Sequence, residues 1–222
     1  MQCIVQKYGG SSVADAGRIK QVASRIAETV NDGARVVAVV SAMGDSTERL
    51  IGLAHEVSDG PEPRELDVLL STGELVSCTL VAMSLRSMGI DAISLSGAQA
   101  GIRTDNRYGK ARIAGIDTQR ILTELDNGKT VVVAGFQGIT EQQDITTLGR
   151  GASDLSAVAI AAGLNAIRCE IYTDVEGIFT ANPNFVPNAR KLDQIGYEEM
   201  LEMASYGAKM QPRSIELAMV YN

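Results

Sequence analysis

Residues 35–41 read Arg35-Val36-Val37-Ala38-Val39-Val40-Ser41. Five consecutive apolar residues, four of them β-branched, leave this segment no polar face. A strand with one wet side alternates apolar and polar. One that is apolar on both sides belongs in the middle of a parallel sheet covered by helices. Upstream, Cys3 to Gln6 is a shorter apolar strand that runs into Gly9-Gly10-Ser11-Ser12. Ile19, Val22, Ala23, Ile26 and Val30 then recur at helical spacing until Asp32-Gly33 stops the helix. Downstream, Asp91–Leu95, Thr130–Ala134 and Ala166–Tyr172 read as strands. Thr47–Val57, Arg64–Met88 (one or two helices), Asp117–Asp126, Leu155–Ala162, Tyr197–Tyr206 and Ser214–Tyr221 read as helices. Pro61 and Pro63 mark a loop. Ser96–Lys110, rich in glycine and polar residues, reads as a functional loop or small hairpin, and Gly135-Phe136-Gln137-Gly138 as the end of a strand. The alternation predicts one α/β domain with a largely parallel sheet.

Composition removes several function classes. The 222 residues are 45% hydrophobic, enough for a full core. The net charge of -7, from 27 acidic and 20 basic residues, argues against nucleic acid as a partner, and no Lys/Arg cluster supplies a basic face. No apolar run approaches the ~20 residues of a membrane span, so no membrane partner is expected. The start, MQCIVQKYGG, lacks the pattern of a signal peptide. Cys3, Cys78 and Cys169 form no C-x-x-C pair, and with a single histidine they cannot make the usual zinc clusters. Reduced thiols in a cytoplasmic protein without a resident metal site are expected. His55, in a polar-faced segment, reads as a surface residue rather than a general base.

The informative residues sit where strands end, which is where open α/β sheets bind ligands. Lys7-Tyr8-Gly9-Gly10-Ser11-Ser12, Ser41-Ala42-Met43-Gly44-Asp45-Ser46-Thr47, Gly135-Phe136-Gln137-Gly138 and Thr173-Asp174 are four such ends, and Gly149–Asp154 opens a helix. Glycines let backbone N–H groups approach an anion, and a helix N-terminus adds a favourable partial charge. Lys7 and Arg150 supply full charges. A single glycine pair can equally make a tight turn with no ligand; four such turns with charged neighbours point to a phosphate site. The G-x-x-x-x-G-K-[ST] and G-x-G-x-x-G signatures are missing, as are the protein-kinase H-R-D and D-F-G motifs, so the phosphate chemistry belongs to another architecture.

With these residues in view, the chain resembles the catalytic domain of the aspartate kinases (aspartokinases), in the amino acid kinase superfamily. The resemblance runs from about Val5 to the C-terminus. It rests on Lys7–Ser12, Val40-Ser41-Ala42-Met43-Gly44, Arg64–Glu74 (RELDVLLSTGE), Gln99-Ala100-Gly101-Ile102, Gly135–Gly138, Thr146–Gly151 (TTLGRG), Ser153-Asp154 and Tyr172-Thr173-Asp174, in this order. It implies a three-layer αβα sandwich with a mainly parallel central sheet, of the amino acid kinase and carbamate kinase-like kind. It implies ATP-dependent phosphorylation of the L-aspartate side-chain carboxylate to 4-phospho-L-aspartate, the first step towards lysine, threonine and methionine, with Mg²⁺ accompanying ATP. Homodimerisation is a family-based expectation. A different small-acid acceptor on the same fold, or a non-catalytic pseudokinase or binding subunit, stay as alternatives.

The resemblance also implies roles. Lys7 would bridge the ATP phosphates and the transferring group, and Asp154 would orient it. Thr47, Glu74, Arg150 and Ser153 would contact aspartate, Arg150 pairing a substrate carboxylate through its planar fork and Glu74 meeting the ammonium. Gly9, Gly10, Thr173, Asp174 and Lys209 match nucleotide-side positions. Glu74 lies in an apolar helical segment, where an unpaired charge is costly. Asp154 also stands where it can charge-stabilise a helix start, and Asp174 is a natural turn residue. Met200, Met203 and Met210 read as core filler.

Departures from the family pattern define further expectations. Its turn usually reads Gly-Arg-Gly-Gly-Ser-Asp, and here the second paired glycine is Ala152. A positive φ there would cost about 1–2 kcal/mol and misplace Ser153; a negative φ would make the change mild. Asn184 stands where the family has an arginine near the nucleotide phosphates, and Glu176 replaces a usual Asp or Pro. Lys209–Arg213 is one residue shorter than the family segment. The family chain continues past this point into another strand and two regulatory ACT domains. Residues 1-222 are therefore expected to be a catalytic domain truncated at its C-terminus, without ACT domains and with a sheet edge uncovered.

Overall fold

The computed structural model describes residues 2–221. Five strands form the central sheet: β1 (Cys3–Tyr8), β2 (Arg35–Val40), β3 (Ala92–Leu95), β6 (Thr130–Ala134) and β9 (Arg168–Tyr172). Their order is β3-β6-β2-β1-β9, and every pairing is parallel. The alternation of side chains along β2 divides the core into two layers. Val36, Ala38 and Val40 face α1 (Ala16–Asn31) and α3 (Pro63–Ser87). Val37 and Val39 face the other way, towards α4 (Gln119–Asp126) and α5 (Ser153–Gly163). The result is a three-layer αβα sandwich, the architecture the resemblance implies, with the doubly apolar strand in the middle of its parallel sheet.

Local chemistry sets the helix boundaries. Asp15 caps α1 by accepting from the Arg18 amide, and Gly33, at φ 92°, follows its end. α2 (Ser46–Val57) follows the β2 turn, and His55 on it is exposed. Pro63 belongs to a helix rather than to the expected loop: it is the first residue of α3, where its missing N–H costs nothing, and the Glu62 side chain caps the Glu65 amide. α3 is one 25-residue helix. By length and composition it could cross a membrane, contrary to the apolar-run reading. Its most apolar stretch is half buried, and it packs against α1, α2 and four strands, so it is the core helix of this layer.

A second, four-stranded sheet was not foreseen. It comprises β4 (Ile102–Thr104), β5 (Ile113–Ile116), β7 (Gln137–Ile139) and β8 (Ile145–Thr147), in the order β5-β4-β7-β8. The expected small hairpin is part of it, since β4 and β5 pair antiparallel, but the hairpin reaches beyond Lys110. The expected Gly135–Gly138 turn leads straight into β7, which pairs with β8. Strands of three or four residues give period-two reading too little to act on. A small cluster of Leu70, Ala111, Phe136, Leu148, Ala152 and Leu155 fastens this sheet to α3 and α5. α6 (Tyr197–Ser205) and α7 (Pro212–Tyr221) pack through Met200, Ala204 and Ile215, with Met210 against them. Met200 is thus a core residue, and Met210 is partly buried against it. β9 is the edge strand next to β1 among the described residues.

Candidate active site

The parallel sheet delivers its strand ends to one side of the molecule. At the end of β1, Lys7 forms an ion pair of 2.7 Å with Asp154, the second residue of α5. Both side chains are nearly buried, 12% and 11% exposed. The pair ties the first strand to the start of a helix whose N-terminal amides face the same region, so a cation and a partial positive charge converge there. The Asp154 Oδ2 atom also accepts from the Gln211 amide at 3.4 Å.

Ser41, at the end of β2, donates from its hydroxyl to Ser153 Oγ at 2.9 Å, and its carbonyl accepts from Ser77 of α3 at 2.7 Å. One residue further, the Ala42 amide donates to Glu74 Oε1 at 3.1 Å. Glu74 Oε2 has no hydrogen-bond partner, although the residue is only 3% exposed. Burial pushes the Glu74 carboxyl up to about 7, against the pull of the Ala42 amide. A buried carboxylate oxygen without a partner is suited to an incoming ammonium.

Glu74 lines a cavity of about 440 Å³ that also takes in Gly10, Ser41, Thr47, Phe136, Arg150 and Ser153. The four residues expected to contact the acceptor, Thr47, Glu74, Arg150 and Ser153, therefore share one cavity. Gly10 joins it through a close approach: a Cβ there would sit 2.9 Å from the Ala42 carbonyl oxygen. Arg150 stands at the rim, its side chain 85% exposed and its nearest acid, Glu48, 3.8 Å away. The turn carrying it has Gly149 at φ 93° and Gly151 at φ 75°. Ala152 follows at φ -79°, fully buried. The alanine in place of the family glycine is thus unstrained, and Ser153 reaches Ser41 unhindered.

Gly9, Thr173, Asp174 and Lys209 stand outside that cavity, and a Cβ at Gly9 would sit 3.4 Å from Lys7 Nζ. The register of β1 and β9 pairs Lys7 with Ile171 and Tyr8 with Tyr172, so Gly9 and Thr173 leave neighbouring strands side by side. Asp174 accepts from Thr173 Oγ1 at 3.2 Å and pairs with Lys209 at 2.8 Å. The bond from Lys209 holds the Asp174 carboxyl below its usual range. This ion pair goes beyond a turn role for Asp174. A small cavity of about 230 Å³ beside them is lined by Ser11, Arg25, Tyr172, Thr173 and Asp174. Asn184 lies in an exposed loop, where its amide donates to the Asn182 side chain at 2.9 Å. Glu176 is exposed as well. A larger cavity of about 760 Å³, between α7 and the β4–β5 hairpin, contains none of these residues.

Sequence reading missed two features of the cavity around Glu74. Phe136, on its wall, holds φ at 68° and is buried. A left-handed phenylalanine costs about 1–2 kcal/mol, a strain found most often at functional positions. The signal was present as Gly135 and Gly138 around it, but nothing marked which residue takes the positive φ. Asp67 lines the same cavity, buried and seven residues before Glu74 on α3. Among the described residues no group of three or more His, Cys, Asp or Glu side chains could hold a metal ion. The Cys78 and Cys169 thiols are pushed up by burial to about 11 and about 12, which keeps them protonated and unreactive at neutral pH.

Comparison with known proteins agrees with this geometry. The model of the amino acid kinase family matches residues 2–221. An aspartokinase of Mycolicibacterium smegmatis is 56% identical over 224 residues, covering 100% of this chain and 53% of the relative. The chain thus spans about half the length of such relatives. The crystal structure of aspartate kinase from Synechocystis superposes with a TM-score of 0.88 at 49% identity, over 99% of this chain and 36% of that one. E. coli aspartokinase III in complex with aspartate and ADP, in its R-state, superposes with a TM-score of 0.89 at 28% identity, over 100% of this chain and 60% of that one.

Proposed function

The chain belongs to the amino acid kinase family, and from that premise we propose that it transfers the γ-phosphoryl group of ATP to the side-chain carboxylate of L-aspartate. The observation that carries this reading is the unpartnered, buried Glu74 oxygen in a cavity bounded by Arg150 and Ser153, one strand away from the Lys7–Asp154 pair. The cavity offers an acid to an ammonium and a guanidinium to a carboxylate. An amino acid with a second carboxylate fits that charge pattern.

In the proposed reaction the α-ammonium pairs with Glu74 and a substrate carboxylate pairs with Arg150. Thr47 and Ser153 supply hydroxyl contacts. The side-chain carboxylate is already ionised at neutral pH, its ordinary pKa being about 3.9, so no general base is required. One of its oxygens bonds to the γ-phosphorus while the bond from that phosphorus to the β,γ-bridging oxygen breaks. The products are 4-phospho-L-aspartate and ADP. Lys7, held by Asp154, stabilises charge on the transferring group, and the start of α5 adds its partial positive charge.

Gly9, beside Lys7, and Gly10, which also lines the acceptor cavity, offer backbone amides to the phosphates, while Thr173, Asp174 and Lys209 receive the remainder of ATP. Mg²⁺ supplies charge neutralisation when it arrives with ATP. No acidic cage is formed among the described residues, and Mg²⁺ held mainly by ATP oxygens and water would fit that. A cytoplasmic enzyme that pairs as a homodimer and feeds lysine, threonine and methionine synthesis is the setting this reading favours.

The test is ATP turnover with and without L-aspartate, in the presence of hydroxylamine to trap an acyl phosphate. Aspartate-dependent hydroxamate is expected. Folded, ATP-binding protein that yields none, while another small acid yields it, would move the assignment to that acceptor.

A further inference from the structure

Two charged side chains outside the proposed substrate contacts grip the same two backbone segments, 109–111 and 147–148. Asp67, on α3 and 1% exposed, accepts from the Gly109 amide at 3.0 and 2.9 Å with its two oxygens. It also accepts from the Thr147 amide at 2.8 Å and from Thr147 Oγ1 at 2.7 Å. Arg213, on the first turn of α7, donates to the Leu148 carbonyl at 2.7 Å and to the Ala111 carbonyl at 2.9 Å. The Ala111 amide donates to the Thr147 carbonyl at 2.9 Å, which joins the two gripped segments. The acid takes the N–H groups and the base takes the C=O groups. Among the described residues neither side chain lies within ion-pair distance of an opposite charge.

A buried carboxylate without a cation needs several donors to offset its desolvation, and Asp67 has them. What it holds is the foot of the turn that presents Arg150 and Ser153. That turn contains two glycines at positive φ, so its own backbone does little to restrict it. Asp67 and Glu74, seven residues apart, lie on one face of the same helix. α3 therefore carries both the acid proposed to meet the ammonium and the clamp on the turn that bears Arg150. We propose that Asp67 and Arg213 are positioning residues that set the separation between Arg150 and Glu74, and through it the recognition of the acceptor amino acid. This rests on the acceptor assignment above.

The experiment is steady-state kinetics of the full-length protein carrying Asp67→Asn or Arg213→Lys, varying each substrate in turn. Amide hydrogen exchange of residues 109–111 and 147–151 is measured alongside. The acceptor KM is expected to rise at least about tenfold in Asp67→Asn and less in Arg213→Lys, which keeps the charge but loses the fork. The ATP KM is expected to stay within about twofold, since the clamp does not touch the nucleotide side, and exchange in both segments is expected to quicken about tenfold or more. Unchanged acceptor KM, or acceptor and ATP KM rising together, overturns the positioning role. Should Asp67→Asn fail to fold, Arg213→Lys, altered at a half-buried position, decides the question by the same two readouts. Should the wild type show no aspartate-dependent turnover, the functional reading falls by itself. Exchange then tests the clamp alone, and unaltered protection in both variants overturns it.

Discussion

The acceptor side and the nucleotide side of the proposed site are built from different materials. The acceptor cavity is walled by strand ends and by the long helix α3, and its polar groups are interlocked: Ser41 with Ser153, Ala42 with Glu74, Asp67 with Gly109 and Thr147. The nucleotide side depends on the segment from Thr173 to Ile195. This segment contains no helix and no strand beyond a single bridge between Phe179 and Lys191. Its ion pair, Lys209 with Asp174, is about half exposed on both partners. The acceptor side is therefore the more preorganised of the two, its polar groups already paired, whereas the nucleotide side has fewer contacts to hold it.

The largest expected effect lies between the two sides. Lys7→Ala removes the charge both substrates share and leaves Asp154 unpaired; kcat is expected to fall at least about a thousandfold, with circular dichroism unchanged. Retention of most of the activity would mean that the two sides do not meet at Lys7.

On the acceptor side, Glu74→Gln is expected to raise the aspartate KM about a hundredfold and to leave the ATP KM nearly alone. The same substitution has a stability signature. Glu74 has its pKa raised from 4.5 to about 7, so it is protonated in both folded and unfolded chains at pH 4 and its burial then costs no ionisation. As the pH climbs from about 4.5 to about 7, the unfolded chain ionises first and the folded state loses stability, the loss being complete above pH 7. Glu74→Gln escapes this loss. Urea unfolding at pH 8 is expected to show the variant more stable by at most about 3 kcal/mol, a difference absent at pH 4. Equal stability at both pH values would contradict a buried carboxylate held ready for a cation.

The nucleotide side should respond less to single changes. Lys209→Ala breaks a half-exposed pair, and such pairs contribute roughly 0–1 kcal/mol. A rise in ATP KM of about three- to tenfold is expected, with aspartate KM unaltered. A hundredfold loss would show that this side is as rigid as the other.

How far the sequence went follows the same division. The doubly apolar Arg35–Val40 strand and the helical spacing around Ile19–Ile26 foretold a parallel sheet covered by helices because their patterns are long enough to carry a period. Glu74 was legible as a charge inside an apolar helix. Asp67 was equally visible in the same helix, but its partners, Gly109 and Thr147, are contributed by strands and loops too short to place without coordinates. Arg213 gave no signal, since its acceptors are backbone carbonyls. Ala152 could be resolved only by its φ of -79°.

That last position supplies the smallest expected effect. Ala152→Gly restores the usual family residue where alanine is already unstrained, so it should destabilise by only about 1 kcal/mol, through the loss of one buried methyl and the added freedom of the unfolded chain, and leave both KM values unchanged. Gly151→Ala, one residue earlier at φ 75°, should cost about 1–2 kcal/mol and raise the aspartate KM. Thermal unfolding and kinetics of the pair would show whether the turn is constrained where the backbone angles place the constraint.

The preformed acceptor cavity is tested most directly by calorimetric titration of L-aspartate into the nucleotide-free protein at pH 6 and pH 8, in buffers of different ionisation enthalpy. With burial raising Glu74 to about 7, ammonium binding should drive most of a proton off the protein at pH 6 and little at pH 8. Binding should be tighter at pH 8, and Glu74→Gln should abolish the proton release. Aspartate that binds with no proton release at pH 6, or that binds only when nucleotide is present, would contradict a preformed acceptor cavity built around Glu74.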